Sequence, residues 1–420
     1  MITRRRFIKL TSTAAAGAVL VGWASKRAGR YPYWGRVVVV RNRAATDGLE
    51  IDPEVVRAML DRAIYLLTDG GGWRSLFPSY RRGETFAVKV NAINSRMTSH
   101  REVVDAVVAG LVGMGVPEDD IVVWDRSSEE LSKAGYELND GPSGLRVMGT
   151  DRVGYDRSLR VDLKGGTVRI SRILTGSTYL INVPILKDHS GAGITFSLKN
   201  HLGSVDAPGV LHDRGLQECI AILNATPVIR AKRRLVVGDA LFGVYRGGPG
   251  GSPQFAYNGL IVGTDPVAVD HQARLVIDEE RARHGLGPTR PSHIEKAAQL
   301  GLGAPADEVR VEEVRMDVGE GSAEGTPEGY VLHQNFPNPF NSWTKVSYEL
   351  PEAGYVQLAV YSSTGRPVRT LVDGFRWAGS YWVAWDGRDG SGRDLAGGVY
   401  ICRLIVDGKV VRTIRMALVR

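Results

Sequence analysis

Between Lys187 and His201 the chain gathers groups that could bind or react: Lys187, Asp188, His189, Ser197, Lys199, Asn200 and His201, with Gly191 and Gly193 among them. Ammonium and amide groups so spaced suit a carboxylate or phosphate, which they hold by charge-assisted hydrogen bonds. A carboxylate near His189 could also take or give a proton. The pairing of lysine with asparagine recurs at Lys89 and Asn91, after the apolar run 86–90. Lys89, Asn91, Lys199 and Asn200 are therefore candidate ligand-binding residues. Lys187, His189 and Asp239 are candidate catalytic residues. Asp239 ends an apolar run, and the preceding Gly238 lets the backbone approach a ligand. His189 and His201 are candidate ligands for a divalent metal, with His212, Asp188, Asp206 and Asp213 nearby in sequence. No His-x-x-x-His spacing sets them on one helix face. The blander alternative is a solvated loop with a helix cap and three unrelated surface lysines.

The flanking sequence supplies elements to position these groups. Tyr179–Val183 reads as a buried strand, and Pro184 blocks its simple continuation. Residues 187–201 then read as a loop at the end of that strand, where open α/β sheets bind ligands. Apolar runs at 36–41, 86–90, 121–125, 235–239 and 260–263 alternate with helical patterns at 53–67, 100–114, 213–225, 267–284 and 291–301, a rhythm that predicts a mainly parallel α/β sheet. Asp52-Pro53 and Asp265-Pro266 are helix-opening pairs. Ser127 with Glu130 forms a capping box. Residues 243–251 (GVYRGGPGG) form a Gly-rich loop that lacks the Lys-Ser/Thr ending of a phosphate-binding loop. No nucleophile elbow or dinucleotide fingerprint is present.

The 420 residues suffice for two or three domains, and a hydrophobic content of 43% with 24% charged residues suits a folded soluble chain. Two cysteines, Cys219 and Cys402, are too few for a disulfide framework or a cysteine-held iron–sulfur cluster, so no such cluster is expected. The formal charge is +7, of which Arg4, Arg5, Arg6 and Lys9 account for four; residues 1–24 contain no acid, leaving +3 for the rest. That gives no argument for a nucleic-acid partner.

The first 24 residues pair arginines (Arg4-Arg5-Arg6-Phe7-Ile8-Lys9) with a mild apolar run, as in a twin-arginine export signal. The run is too short for a stable transmembrane span. Export by the twin-arginine machinery to the periplasm, cell surface or medium is the expectation. Residues 36–317 form the expected α/β domain. Residues 318–330 read as a linker with little to bury, so few contacts are expected across it. Residues 331–420 alternate in short runs split by Gly, Pro and Asp, the pattern of a small all-β immunoglobulin-like sandwich. In this tail, residues 386–394 read as a Gly-rich hairpin turn rather than a calcium loop, because Gly397 occupies the twelfth position.

Two resemblances cover most of the chain. Lys89-Val90-Asn91, Thr98 to His100, residues 182–187 (NVPILK), Ser197-Leu198-Lys199-Asn200 with Gly203, Gly238-Asp239 and residues 265–270 (DPVAVD) together resemble the domain of unknown function 362 family, over about 36–315. That family implies no activity. The same region resembles, without a residue-by-residue match, the amino-terminal domain of nickel-dependent lactate racemases. Residues 335–341 (NFPNPFN), Leu358 to Tyr361, Gly365-Arg366, Trp385 to Arg388 and Gly397 to Tyr400 resemble the immunoglobulin-like domain of the hook-cap protein FlgD, as used in type IX secretion sorting domains. This implies outer-membrane secretion machinery as a partner and a sorting or attachment role. Two functions remain open: an enzyme or cofactor-binding protein acting on a small anionic ligand, or a non-catalytic surface or periplasmic ligand-binding protein.

Overall fold

The computed structural model describes residues 33–420 except 95, 317–328, 342, 353, 377, 378 and 420. The leader and nearly all of the linker lie outside the described residues. The α/β part is a ten-stranded mixed sheet. Its strands are β1 (Arg36–Arg41), β2 (Phe86–Lys89), β3 (Ile121–Asp125), β4 (Arg146–Gly149), β5 (Tyr179–Asn182), β6 (Ile185–His189), β7 (Gly193–Thr195), β8 (Arg233–Val244), β9 (Phe255–Gly263) and β10 (Arg310–Arg315). The order is β10-β1-β9-β8-β5-β2-β3-β4, with β6 and β7 joined through β8. Strands β8, β5, β2, β3 and β4 pair in parallel, while β9 runs antiparallel between β1 and β8.

The strands are apolar on both faces because helices cover both faces. In β1, Val38 and Val40 enter one core with Val56, Leu60 and Ile64 of α1 (Pro53–Leu67) and Val104 and Val107 of α2 (Arg101–Gly113). Val37 and Val39 enter the opposite core with Ile220 and Leu223 of α3 (Leu216–Asn224) and Val269 and Ile277 of α4 (Pro266–Arg283). Asp52 caps α1 through the Glu54 and Val55 amides, and Asp265 caps α4 through those of Val267 and Ala268.

Pro184 acts as the sequence predicts, but the chain beyond it is not a loop. After a break at residues 183–184, Ile185–His189 continues as β6, parallel to the second half of β8, whose first half pairs with β5. Lys187, Asp188 and His189 are thus strand residues, and β7 folds back on them, pairing Lys187 with Thr195. A one-turn helix, α5 (Ser197–Asn200), follows, its first amides held by Asp270. The 213–225 helical pattern divides at Gly215, which takes a positive φ between Gly209–Asp213 and α3. Strand β4 and the ribbon Tyr155–Leu163/Gly166–Ser171 are additions to the sequence-based outline.

The tail forms a three-stranded and a four-stranded antiparallel sheet. The first holds β11 (Val331–Leu332), β12 (Thr344–Leu350) and β15 (Gly379–Trp385); the second holds β13 (Gly354–Ser362), β14 (Pro367–Arg376), β16 (Gly398–Val406) and β17 (Lys409–Leu418). Trp385 is fully buried between Phe340 and Tyr400. The 335–341 motif laces the start of this unit to its last strand. Asn335 bonds to Pro337 O and Thr344, Asn338 accepts the Ala417 amide, and Phe340 exchanges backbone bonds with Ala417 and Val419. In the 386–394 turn, Asp389 already accepts from Ser391 and Arg393, which occupies the oxygens a cation would need.

The two units are in contact, contrary to the expectation drawn from the linker. Strand β10 lies beside β15, and one buried apolar cluster extends from Val314 to Tyr348 and Tyr381. Within this contact Arg62 of α1, itself buried, donates to Tyr381 Oη at 2.6 Å.

Candidate functional site

Six of the eight sequence-selected residues reach the site, because parallel strands end along one edge. Lys89 closes β2, Asp125 closes β3, and the β6–β7 hairpin and α5 bring Lys187, His189, Thr195, Lys199 and Asn200 to the same place. Together with Asn91, Gly203, His212 and Pro249 they line a cavity of about 280 Å³.

The three lysines differ in their partners. Lys89 is fully buried, 2.7 Å from Asp125 Oδ1 and 2.5 Å from Val90 O. Burial lowers its pKa, opposed by the Asp125 carboxylate. Asp125 also accepts the Ala92 and Arg126 amides, so the pair is enclosed by donors. Gly203 passes over it: an added Cβ would stand against Asp125 Oδ1 and 2.8 Å from Lys89 Nζ.

Lys187 is also fully buried, and its amine donates to Asn91 Oδ1 at 3.1 Å and Met97 O at 2.9 Å. Burial, then the charge of Lys199, lowers its pKa to about 7. The Lys199 side chain is nine-tenths buried, lines the cavity, and makes no hydrogen bond or ion pair with any described residue. Burial alone lowers its pKa to about 8. Thr195 Oγ1, buried in the same wall, has no hydrogen-bond partner among the described residues.

The asparagines form a directional chain. Asn91 Nδ2 donates to Asn200 Oδ1 at 3.1 Å, Asn200 Nδ2 to Asn182 Oδ1 at 2.7 Å, and Asn182 Nδ2 to Ser197 O at 2.8 Å. Lys187 heads this chain. Asn200 and Asn182 thus set the Asn91 amide so that its oxygen faces the amine, and the network fixes Lys187 in place.

His189 Nδ1 accepts the Gly191 and Ala192 amides at 3.0 and 3.1 Å. Its proton must therefore sit on Nε2. Burial, followed by the charge of Lys199 and the neighbouring His212, lowers its pKa to about 3, so the ring is neutral. This corrects the metal assignment. Neutral imidazole can offer a metal only its bare nitrogen, and here that nitrogen faces two N–H groups. His201 does not line the cavity. It is buried, with Nδ1 3.1 Å from Ser204 Oγ, and burial, then Lys89 and Arg233, lowers its pKa to about 3. Among the described residues no three His, Cys, Asp or Glu side chains gather as a metal would need.

Asp239 is likewise outside the cavity. Its Oδ2 accepts from the His100 amide at 2.7 Å and lies 2.8 Å from His100 Nδ1. Burial alone would lower the His100 pKa, but the Asp239 charge and hydrogen bond outweigh it and raise it. The pair fastens the start of α2 to β8 instead of serving the site. Asp188 turns away too, accepting the Gly248 amide at 2.6 Å, while Asn94 donates to Pro249 O at 2.8 Å. Together they tie the 243–251 loop over one side of the cavity. His212, considered above only beside the metal candidates, also lines the cavity. Asp125, Thr195 and Pro249 are site residues that the sequence did not single out; Asp125, like Asp239, ends an apolar run, which was its only signal.

No curated protein matches the chain. Among solved structures, dimeric latent PorU from Porphyromonas gingivalis is 17% identical over 25% of this chain and 10% of its own, with a TM-score of 0.20. FlgD from P. aeruginosa is 32% identical over 18% of this chain and 57% of its own, with a TM-score of 0.15. The lactate racemase apoprotein from Thermoanaerobacterium thermosaccharolyticum is 11% identical over 48% of this chain and 50% of its own, with a TM-score of 0.25. The chain therefore spans less than two thirds of each of these three. Within the α/β part, residues 87–274, which contain every cavity-lining residue, match the family described as Domain of unknown function (DUF362).

Proposed function

We propose that the α/β domain binds a small anion, a carboxylate or phosphate, in the cavity lined by Lys187, Lys199, His189 and Asn200. The observation that carries this reading is the Lys199 amine, which belongs to a residue nine-tenths buried, lines the cavity and has no hydrogen-bond or ion-pair partner among the described residues. An uncompensated buried cation is costly, and an anion in the cavity would relieve that cost. Lys187 adds a second amine, and the His189 Nε2–H and the Thr195 hydroxyl add neutral donors. The Lys89–Asp125 pair is already neutralised and serves as a wall.

The test is thermal unfolding of the full chain with oxalate or inorganic phosphate. Either anion should raise the melting temperature of the wild type, and Lys199→Ala should weaken its affinity ten-fold or more, since a charge-assisted hydrogen bond contributes roughly 1.5–3 kcal/mol. Wild-type protein unmoved by both anions at millimolar concentration would reject the reading.

The proposal extends to the whole chain as an exported protein whose tail serves sorting or surface attachment. It is supported by the paired arginines at 4–6 and the 335–341 motif. Changing Arg4, Arg5 and Arg6 to Lys keeps the charge but removes the guanidinium groups. Cell fractionation should then find the protein retained in the cytoplasm; unchanged export would refute the twin-arginine route.

A further inference from the structure

We propose that the ligand is a small 2-oxo acid, and that the Lys199 amine forms an imine with its carbonyl carbon while Lys187 holds its carboxylate. This rests on the anion-binding reading and deepens it. The two amines of the cavity are differently furnished. Lys187 directs two N–H groups at fixed oxygens, Asn91 Oδ1 and Met97 O, which leaves its third donor for a ligand oxygen. Lys199 has no such tether among the described residues, so its nitrogen can turn toward a bound carbon. A ligand that satisfies both must carry an anionic oxygen for one lysine and an electrophilic carbon for the other. A 2-oxo acid places these groups on adjacent atoms.

The remaining wall fits the reaction. Thr195 Oγ1 has no partner among the described residues, and the His189 proton lies on Nε2, so both can donate to the carbonyl oxygen as it gains charge. The nitrogen lone pair of Lys199 adds to the carbonyl carbon, and the C=O π pair moves onto oxygen. That oxygen takes up the proton released by nitrogen, and with a second proton from solvent it leaves as water; the C=N bond forms as a protonated imine. Carbon and nitrogen keep their oxidation states and no co-reactant is needed. Attack requires free amine, and burial of Lys199 raises its share to about one in ten at pH 7, against about one in a few thousand for an exposed lysine.

The full-length protein is incubated with pyruvate and sodium cyanoborohydride, and the product is read by intact mass and peptide mapping. The expected result is a single reduced adduct on Lys199, formed at saturating pyruvate several-fold faster at pH 8 than at pH 6.5 and absent from Lys199→Arg. Oxalate, which offers carboxylates but no ketone, is the parallel probe by thermal unfolding. Oxalate stabilisation without a Lys199 adduct would overturn the imine and leave the anion site standing; neither effect would overturn both. Adducts scattered over surface lysines, or equal labelling of Lys199→Arg, would also overturn the imine. Should Lys199→Arg fail to fold, the mapped position of the wild-type adduct decides the matter alone.

Discussion

The amine of Lys187 lies 3.1 Å from Asn91 Oδ1, and Asn91 passes the constraint to Asn200 through its own amide. Replacing Asn91 with Ala removes the acceptor for one residue and the donor for the other, both buried. Each unsatisfied group costs about 1–3 kcal/mol, so Asn91→Ala should destabilise the protein by roughly that amount or somewhat more. Urea unfolding measures it. A loss below about 0.5 kcal/mol would mean that the chain of amides does not hold the site together.

Lys199 should behave in the opposite way. Its residue is nine-tenths buried and its amine has no balancing partner among the described residues, so Lys199→Met should leave stability unchanged or raised while weakening anion binding ten-fold or more. A clear fall in melting temperature would reveal a structural partner for Lys199.

The same residue sets a pH dependence. Its pKa is about 8 in the fold, below the ordinary lysine value of 10.5. Below pH 8 the folded protein must carry the buried charge and is at its full disadvantage. As pH rises from about 8 to 10.5 the unfolded chain holds more protons than the fold, so stability relative to Lys199→Met should rise through this window. Anion affinity should move the other way, falling as Lys187 and then Lys199 lose their protons between about pH 7 and 8. Chemical denaturation and oxalate titration across pH 6–10 test both slopes.

Gly203→Ala places a methyl group against the Lys89–Asp125 pair. Overpacking typically costs 1–3 kcal/mol, and separation of a buried ion pair costs more. A loss of at least 1 kcal/mol is expected. A neutral result would show that the backbone at 203 can retreat from the pair.

Tyr381→Phe removes the acceptor of the buried Arg62 donor at the contact between the units. A hydrogen bond to a charged group contributes about 1.5–3 kcal/mol, so the variant should unfold earlier, and a chain ending at residue 316 should lose more. Equal melting temperatures for the truncated and full-length α/β unit would show that the contact contributes nothing.

Much of the site was legible because it follows from strand ends. Once Lys89 and the stretch after Asn182 are placed at the ends of buried strands, parallel pairing brings them to one edge. Partner choice was not legible. Asp125 and Asp239 look alike in sequence, each an acid closing an apolar run. Only the sheet order decides that Asp125 meets Lys89 while Asp239 meets His100, 139 positions away. Lys187, Asp188 and His189 read as a loop because three polar residues in a row signal solvent. Their strand is held by pairing to β7 and β8, which local composition does not encode. Strand β14 was hidden by Pro367, its arginines and Gly374. The contact of the two units was hidden because Arg62 and Tyr381 are ordinary residues until the tail lies on α1.

The break at Pro184 also bears on how a ligand would be received. It lets the chain leave β5 and resume against the far half of β8, so Lys187 and His189 stand on backbone already locked in a ladder. Binding then requires little loss of conformational entropy from the protein. Amide hydrogen exchange along Ile185–His189 should be slow before any ligand arrives and scarcely slower afterwards, as in a rigid receptor.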